Sequence, residues 1–141
     1  MGNNKDKYVV VTGASKGIGR AVAEAFAAEG ARLFLSARNE VNLYNTVAEL
    51  QTKYPGAVIK AKASDLSVKE QCIGFGNWVN AECKAVDVLV NNAGSFLPGS
   101  VHNEADGTLE NMIATNLYSA YHVTRLLLPG MMKKKSGYVF N

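Results

Sequence analysis

Cysteine and histidine are scarce in this chain of 141 residues, with two of each. Cys72 and Cys83 fall in one stretch that reads as a helix, whose rise would hold them about 16 Å apart, too far for a disulfide. Both read as reduced, structural thiols. No group of Cys, His or acidic residues has metal-ligand spacing, so no metal is expected. His102 lies in a loop with no partner nearby and reads as a loop histidine. No apolar run is long enough to span a membrane. The start, Met1-Gly2-Asn3-Asn4-Lys5-Asp6, lacks the features of a signal peptide, and position 6 lacks the Ser or Thr of a myristoylation motif. These absences together predict a cytoplasmic protein without a membrane partner. Charge is close to balanced at +3. The lysine run at 133–135 reads as a solvated loop, so no nucleic-acid partner is expected.

What the chain does have is core. Hydrophobic residues make up 48% and charged residues 19%, enough for one globular domain over residues 1–141 and too short a chain for two. The apolar run Val9-Val10-Val11 leads into Thr12-Gly13-Ala14-Ser15-Lys16-Gly17-Ile18-Gly19. A strand passing through a glycine-rich turn into a helix brings backbone against an anion. Gly13 serves the tight turn, Gly17 leaves room for a pyrophosphate, and Gly19 lets the helix lie close to the strand. The free amides around Gly17 to Gly19 and the positive helix end behind them face the phosphates. The alternative is a tight strand-to-helix turn that binds nothing.

The rest of the chain continues the alternation. Strands are predicted at 8–12, 32–37, 58–63, 86–90 and 137–141, and helices at 17–29, 41–53, from about Ser67 past Cys83, and 108–128. Ala21, Val22, Ala25 and Phe26 form the expected buried stripe of the first helix. Ser67 is a candidate N-cap ahead of Glu70. Pro129-Gly130 is expected to end the last helix, whose apolar surface is Met112, Leu117, Tyr121, Leu127 and Leu128. Right-handed crossovers between these strands give a doubly wound parallel sheet of order 3-2-1-4-5, with a ligand crevice between the first and fourth strands.

In such a fold an acid about 20 residues past the glycines binds the adenosine ribose. Here those places hold Ser36, Ala37 and Arg38. A carboxylate would repel a 2′-phosphate, whereas a guanidinium pairs with it, and Lys16 adds a second positive charge. Two cations and no acid favour NADP(H) over NAD(H); the bland alternative for both is a solvated surface cation. Asp65 reads first as its own loop's capping group, with contact to an adenine amino group as the other possibility. Asn91-Asn92-Ala93-Gly94 closes the fourth strand beside the crevice. Asn116 is a poor helix former in mid-helix, and needs partners if buried.

These motifs in this order resemble the short-chain dehydrogenase/reductase family, from about Lys7 onward. Residues 12–19 resemble its cofactor motif, Asp65-Leu66 its adenine-contacting pair and Asn91-Asn92-Ala93-Gly94 its second signature, and Asn116 stands where the family has a catalytic asparagine. Lys16 with Arg38 is similar to NADP-preferring members such as 3-oxoacyl-carrier-protein reductases. The resemblance implies a Rossmann-type fold and hydride transfer between NADP(H) and a carbonyl or alcohol. It implies that Gly13, Ser15, Lys16, Ile18 and Arg38 hold the pyrophosphate and 2′-phosphate. By the same likeness Asp65 and Leu66 hold adenine, Asn92, Ala93 and Gly94 line the ribose and nicotinamide, and Asn116 anchors a water in the proton relay.

The family's serine after the fifth strand and its Tyr-x-x-x-Lys motif have no counterpart here. Tyr121 and Arg125 have the spacing but read as a core aromatic and a surface cation. The expectation is therefore the cofactor half of an oxidoreductase, truncated at the fifth strand and inactive alone, with an open strand edge that favours self-association. The alternative is a stand-alone nucleotide-binding or assembly module without turnover.

Overall fold

The computed structural model describes residues 3–141. Met1 and Gly2, on which part of the signal-peptide and myristoylation readings rests, lie outside the described residues. Five strands, β1 (Tyr8–Thr12), β2 (Arg32–Ser36), β3 (Val58–Ala61), β4 (Val88–Val90) and β5 (Tyr138–Phe140), form one parallel sheet in the order β3-β2-β1-β4-β5. The connections run through α1 (Gly17–Ala28), α2 (Glu40–Lys53), α3 (Lys69–Glu82) and a long helix made of α4 (Thr108–Ile113), a π-helical turn (Ala114–Tyr118) and α5 (Ser119–Lys134). This is the expected doubly wound α/β sheet. No helix of the described residues is long and apolar enough to cross a membrane.

Alternation along the central strands divides the core into two layers. Val9, Val11, Leu33 and Leu35 face the side that carries α1 and α2, where Ala23, Ala27, Leu43 and Leu50 complete the layer. Val10, Phe34 and Leu89 face the other side, against Phe75 and Val79 of α3 and Val123 and Leu127 of α5. Trp78 meets Phe34 edge-on, with ring centroids 5.6 Å apart. Cys72 and Cys83 are both free and buried, and burial pushes the Cys72 thiol up to about 11, which keeps it protonated and structural.

Three sequence expectations about helix faces and ends are corrected. The buried stripe of α1 is Gly19, Ala23 and Ala27, with Val22 and Phe26 only partly buried and Ala21 and Ala25 exposed. The small side chains face the sheet because Gly19 draws the helix too close for larger ones. In α5 the buried residues Ser119, Val123, Leu127 and Met131 recur every fourth position. Tyr121 is 56% exposed and Leu117 60%, so Tyr121 is not a core aromatic; its hydroxyl accepts a hydrogen bond from Arg125 at 3.0 Å.

The third correction concerns Pro129, which lies inside α5 instead of ending the long helix. Proline removes one ladder bond, but the extra turns bury Met131 and set Gly130 against the backbone of Lys84 and Ala85. Lys133 and Lys134 are therefore helical, not loop, and Lys135 ends the helix at φ 57°. Lys134 is not a free solvated lysine: its Nζ donates to Val86 O at 3.2 Å and to Asp87 Oδ1 at 2.6 Å.

Asp87 also accepts from Tyr8 N at 2.8 Å, so one carboxylate joins the entries of β1 and β4 to the end of α5. Burial opposes its charge, but the Lys134 and Tyr8 hydrogen bonds outweigh it and hold the carboxyl below its usual range. A depressed value in the folded state adds stability above the ordinary aspartate pKa of about 3.9, and that stability is lost as pH falls through the folded-state value. Asp87→Asn is expected to cost about 1–2 kcal/mol in urea unfolding at pH 7. Its difference from the parent should shrink steadily below about pH 4.

Candidate functional site

At the C-terminal ends of β1 and β4 the chain leaves the sheet in opposite directions, which opens a crevice. Gly13 takes φ 64° and Gly17 φ 57°, backbone that only glycine adopts freely, so the turn between β1 and α1 can fold tightly. A Cβ on Gly19 would run into Gly13 O and Asn92 Nδ2, whereas one on Gly17 would meet nothing. The glycines thus divide their work as expected: Gly13 turns, Gly19 packs and Gly17 faces open space.

The turn is held from both sides. Asn92 Nδ2 donates to Thr12 O at 3.2 Å and to Gly13 O at 3.1 Å, while Thr12 Oγ1 accepts from Asn92 N at 3.0 Å and Ala93 N at 2.9 Å. Ala14 N donates to Ser36 O at 2.9 Å, and Thr46 Oγ1 of α2 donates to Ser15 O at 3.2 Å. The α1 N-terminus itself has Lys16 at its N-cap, no side-chain cap and no acid in its first turn. Its leading amides therefore remain available to an anion.

The cleft above this turn encloses about 330 Å³. Gly13, Ser15, Lys16, Gly17 and Ile18 line it from the glycine turn, Arg38 from the end of β2, Asp65 and Leu66 from the loop after β3, and Asn92, Ala93 and Gly94 from the end of β4. Two predicted residues stand outside its wall: Gly19 lies behind the turn, and Asn116 leaves the lining position to Thr115. The wall also includes Asn39, Asn42 and Ser64, which sequence reasoning did not single out. Asn39 carried a signal, since it caps α2 by accepting from Asn42 N at 2.9 Å.

Lys16 and Arg38 are exposed, and neither takes part in an ion pair among the described residues. The end of β2 presents Ser36 and Ala37 with no acid. Asp65 does cap its own loop, as its first reading had it: Oδ1 accepts from Ser67 N at 3.0 Å and Ser67 Oγ at 2.7 Å. Ser67 is consequently not the N-cap of α3. Val68 holds that position without a side-chain cap, because the Ser67 hydroxyl is already committed to Asp65 and Gln71 Oε1 accepts from Asp65 N at 2.7 Å.

Asn116 sits in the π-helical turn, a feature that the periodicity of apolar residues does not reveal. Its side chain accepts from Ser95 N and donates to Ser95 O, both at 2.8 Å. It thereby fastens the long helix to the strand end at Gly94, where a Cβ would lie 2.7 Å from Asn116 Oδ1.

A five-stranded parallel sheet of this order, with a glycine-rich turn at its switch point, is the Rossmann-type doubly wound architecture. The chain belongs to the short-chain dehydrogenase family, whose model, described as short chain dehydrogenase, matches residues 7–141. It is 35% identical to the oxidoreductase YvaG of Bacillus subtilis over 97% of this chain and 50% of that protein. It is 35% identical to the 3-oxoacyl-[acyl-carrier-protein] reductase FabG of Vibrio harveyi over 99% of this chain and 55% of the reductase. The chain thus spans about half the length of these curated relatives. Among solved structures, L-sorbose reductase from Gluconobacter frateurii, complexed with NADPH and L-sorbose, superposes with a TM-score of 0.90 at 32% identity, covering 96% of this chain and 51% of that one. A metagenomic short-chain oxidoreductase in complex with NADP gives 0.90 at 34% identity, covering 98% and 62%.

Gly19→Ala is the sharpest test of the geometry. A methyl group there meets backbone on one side and a bonded amide on the other, so the helix must shift. Chemical denaturation should show a loss of about 2–3 kcal/mol, at the upper end of overpacking. Gly17→Ala, which meets only backbone strain, should cost about 1 kcal/mol.

Proposed function

We propose that this chain is the dinucleotide-binding part of an NADP(H)-dependent short-chain oxidoreductase acting on a carbonyl or alcohol. The observation that carries the reading is the cleft itself: an uncapped helix N-terminus at its floor, two unpaired cations at its rim, and no acid at the end of β2. Those residues fit the cofactor. The glycine turn leaves room for a pyrophosphate, the α1 amides can donate to it, and Lys16 and Arg38 can neutralise a 2′-phosphate. The NADPH and NADP complexes of the structural relatives support the same choice.

In this reading Gly13, Ser15, Gly17, Ile18 and Gly19 form and bound the pyrophosphate site. Asp65 and Leu66 border the adenine, and Asn92, Ala93 and Gly94 border the ribose and nicotinamide. The nicotinamide supplies hydride transfer when bound. Asn116 is this chain's contribution to the catalytic machinery. Its π turn takes backbone groups out of the usual helical ladder beside the crevice, which suits the anchoring of a relay water. Carbonyl reduction is a property proposed for the whole protein in a cytoplasmic setting, with residues 1–141 as its single cofactor-binding domain. Self-association belongs to the same proposal.

Titration with NADPH and NADH, followed by cofactor fluorescence, tests the reading. NADPH should bind more tightly, and Arg38→Ala should weaken NADPH about tenfold to a hundredfold while changing NADH little. An unchanged NADPH-to-NADH ratio in the variant would remove the phosphate assignment. Failure of the protein to bind either dinucleotide would remove the proposal.

A further inference from the structure

Ser36 is the last residue of β2 and is fully buried, with none of its surface exposed. Its Oγ is the only fully buried side-chain nitrogen or oxygen among the described residues that has no hydrogen-bond partner. The neighbouring hydroxyls are all provided for: Thr12 Oγ1 accepts from two amides, Thr46 donates to Ser15 O, and Ser64 donates to Lys62 O. A buried hydroxyl without a partner destabilises a fold, and an alanine would fill the same place without that cost. Ser36 is nevertheless one of the residues that line the cleft.

Its position narrows what it can meet. Side chains alternate along β2, so Ser36 points to the side of Phe34, which packs in the same layer as Leu66. The backbone of Ser36 is fixed by its bond from Ala14 N and by its pairing with Thr12. Its side chain has three staggered positions about one bond, so a change of rotamer can turn Oγ toward a group seated over the cleft floor while the backbone stays fixed. A phosphate dianion is poorly suited to so dry a place. It belongs at the exposed rim, beside Arg38.

We propose that Ser36 Oγ hydrogen-bonds the adenosine portion common to NADP(H) and NAD(H), and so contributes to affinity without contributing to the choice between them. This rests on the dinucleotide reading above. It separates two adjacent duties at the end of one strand: Ser36 below for adenosine, Arg38 above for the 2′-phosphate.

Ser36→Ala tests it, with binding of NADPH, NADH and adenosine 5′-monophosphate measured by calorimetry or fluorescence, and melting measured without ligand. All three affinities should fall by the same factor, about threefold to tenfold, with the NADPH-to-NADH ratio unchanged. The ligand-free variant should melt at the same temperature as the parent or higher, because an orphaned hydroxyl has been removed. Unchanged affinities would overturn the assignment. So would a loss confined to NADPH, which would place the partner on the phosphate, or a lower ligand-free melting temperature, which would place it inside the protein. If the parent binds the ligands and Ser36→Ala binds them equally, only the Ser36 assignment falls. If the parent binds none, the dinucleotide reading falls with it.

Discussion

The approach of α1 to the ends of β1 and β4 leaves no room for a side chain at Gly19, and the site depends on it. Gly19 lies where any side chain would strike Gly13 O and the Asn92 amide. That amide in turn bonds the carbonyls of Thr12 and Gly13, while Thr12 bonds the amides of Asn92 and Ala93. The clasp is made of polar groups that satisfy one another, so a tight turn can be held rigid at a solvent-open edge. It consumes the carbonyls of the turn and leaves the leading amides of α1 without a side-chain cap. A site for an anion is the consequence, and the absence of acid in the first turn preserves its positive potential.

The two ends of the sheet are secured by different chemistry. At the crevice the groups are mostly neutral amides, and Asn116 performs the same task for the β4 loop by taking both polar atoms of Ser95. At the opposite end a partly buried ion pair, Lys134 with Asp87, ties α5 to the entries of β1 and β4. The largely neutral fastening around the crevice leaves its charge to Lys16, Arg38 and Asp65, while the Lys134–Asp87 pair stands at the far end of the strands. Both depend on the long helix, which passes through Pro129 to deliver Lys134 and loosens into a π turn to place Asn116.

The fold was largely legible because a parallel sheet buries its strands on both faces. Val9-Val10-Val11 and Leu33-Phe34-Leu35 announce that burial as unbroken apolar runs, and glycine, proline and capping residues mark most of the turns. Ten of the cleft's lining residues lay within the motifs, since a turn requiring positive φ and an approach requiring no Cβ leave glycine as the residue that fits. Helix faces were read less well. Val22 and Phe26 looked like the centre of the α1 stripe, but a helix drawn down onto glycine presents its smallest residues to the sheet. Tyr121 looked like core, but the buried row of α5 lies on another face.

Composition and local pattern by themselves determined the strand order, the place of the crevice and the sign of its rim, because these follow from burial, crossover handedness and the residue types at the ends of β1 and β2. Only the tertiary structure decided which polar groups satisfy each other across the crevice. Hydrogen-bond pairing between segments distant in sequence, such as Asn92 with Thr12 or Asn116 with Ser95, leaves no periodic trace in the chain. For the same reason only the folded molecule shows that Asp65 takes the hydroxyl of Ser67 and that Ser36 is left with no partner in the protein.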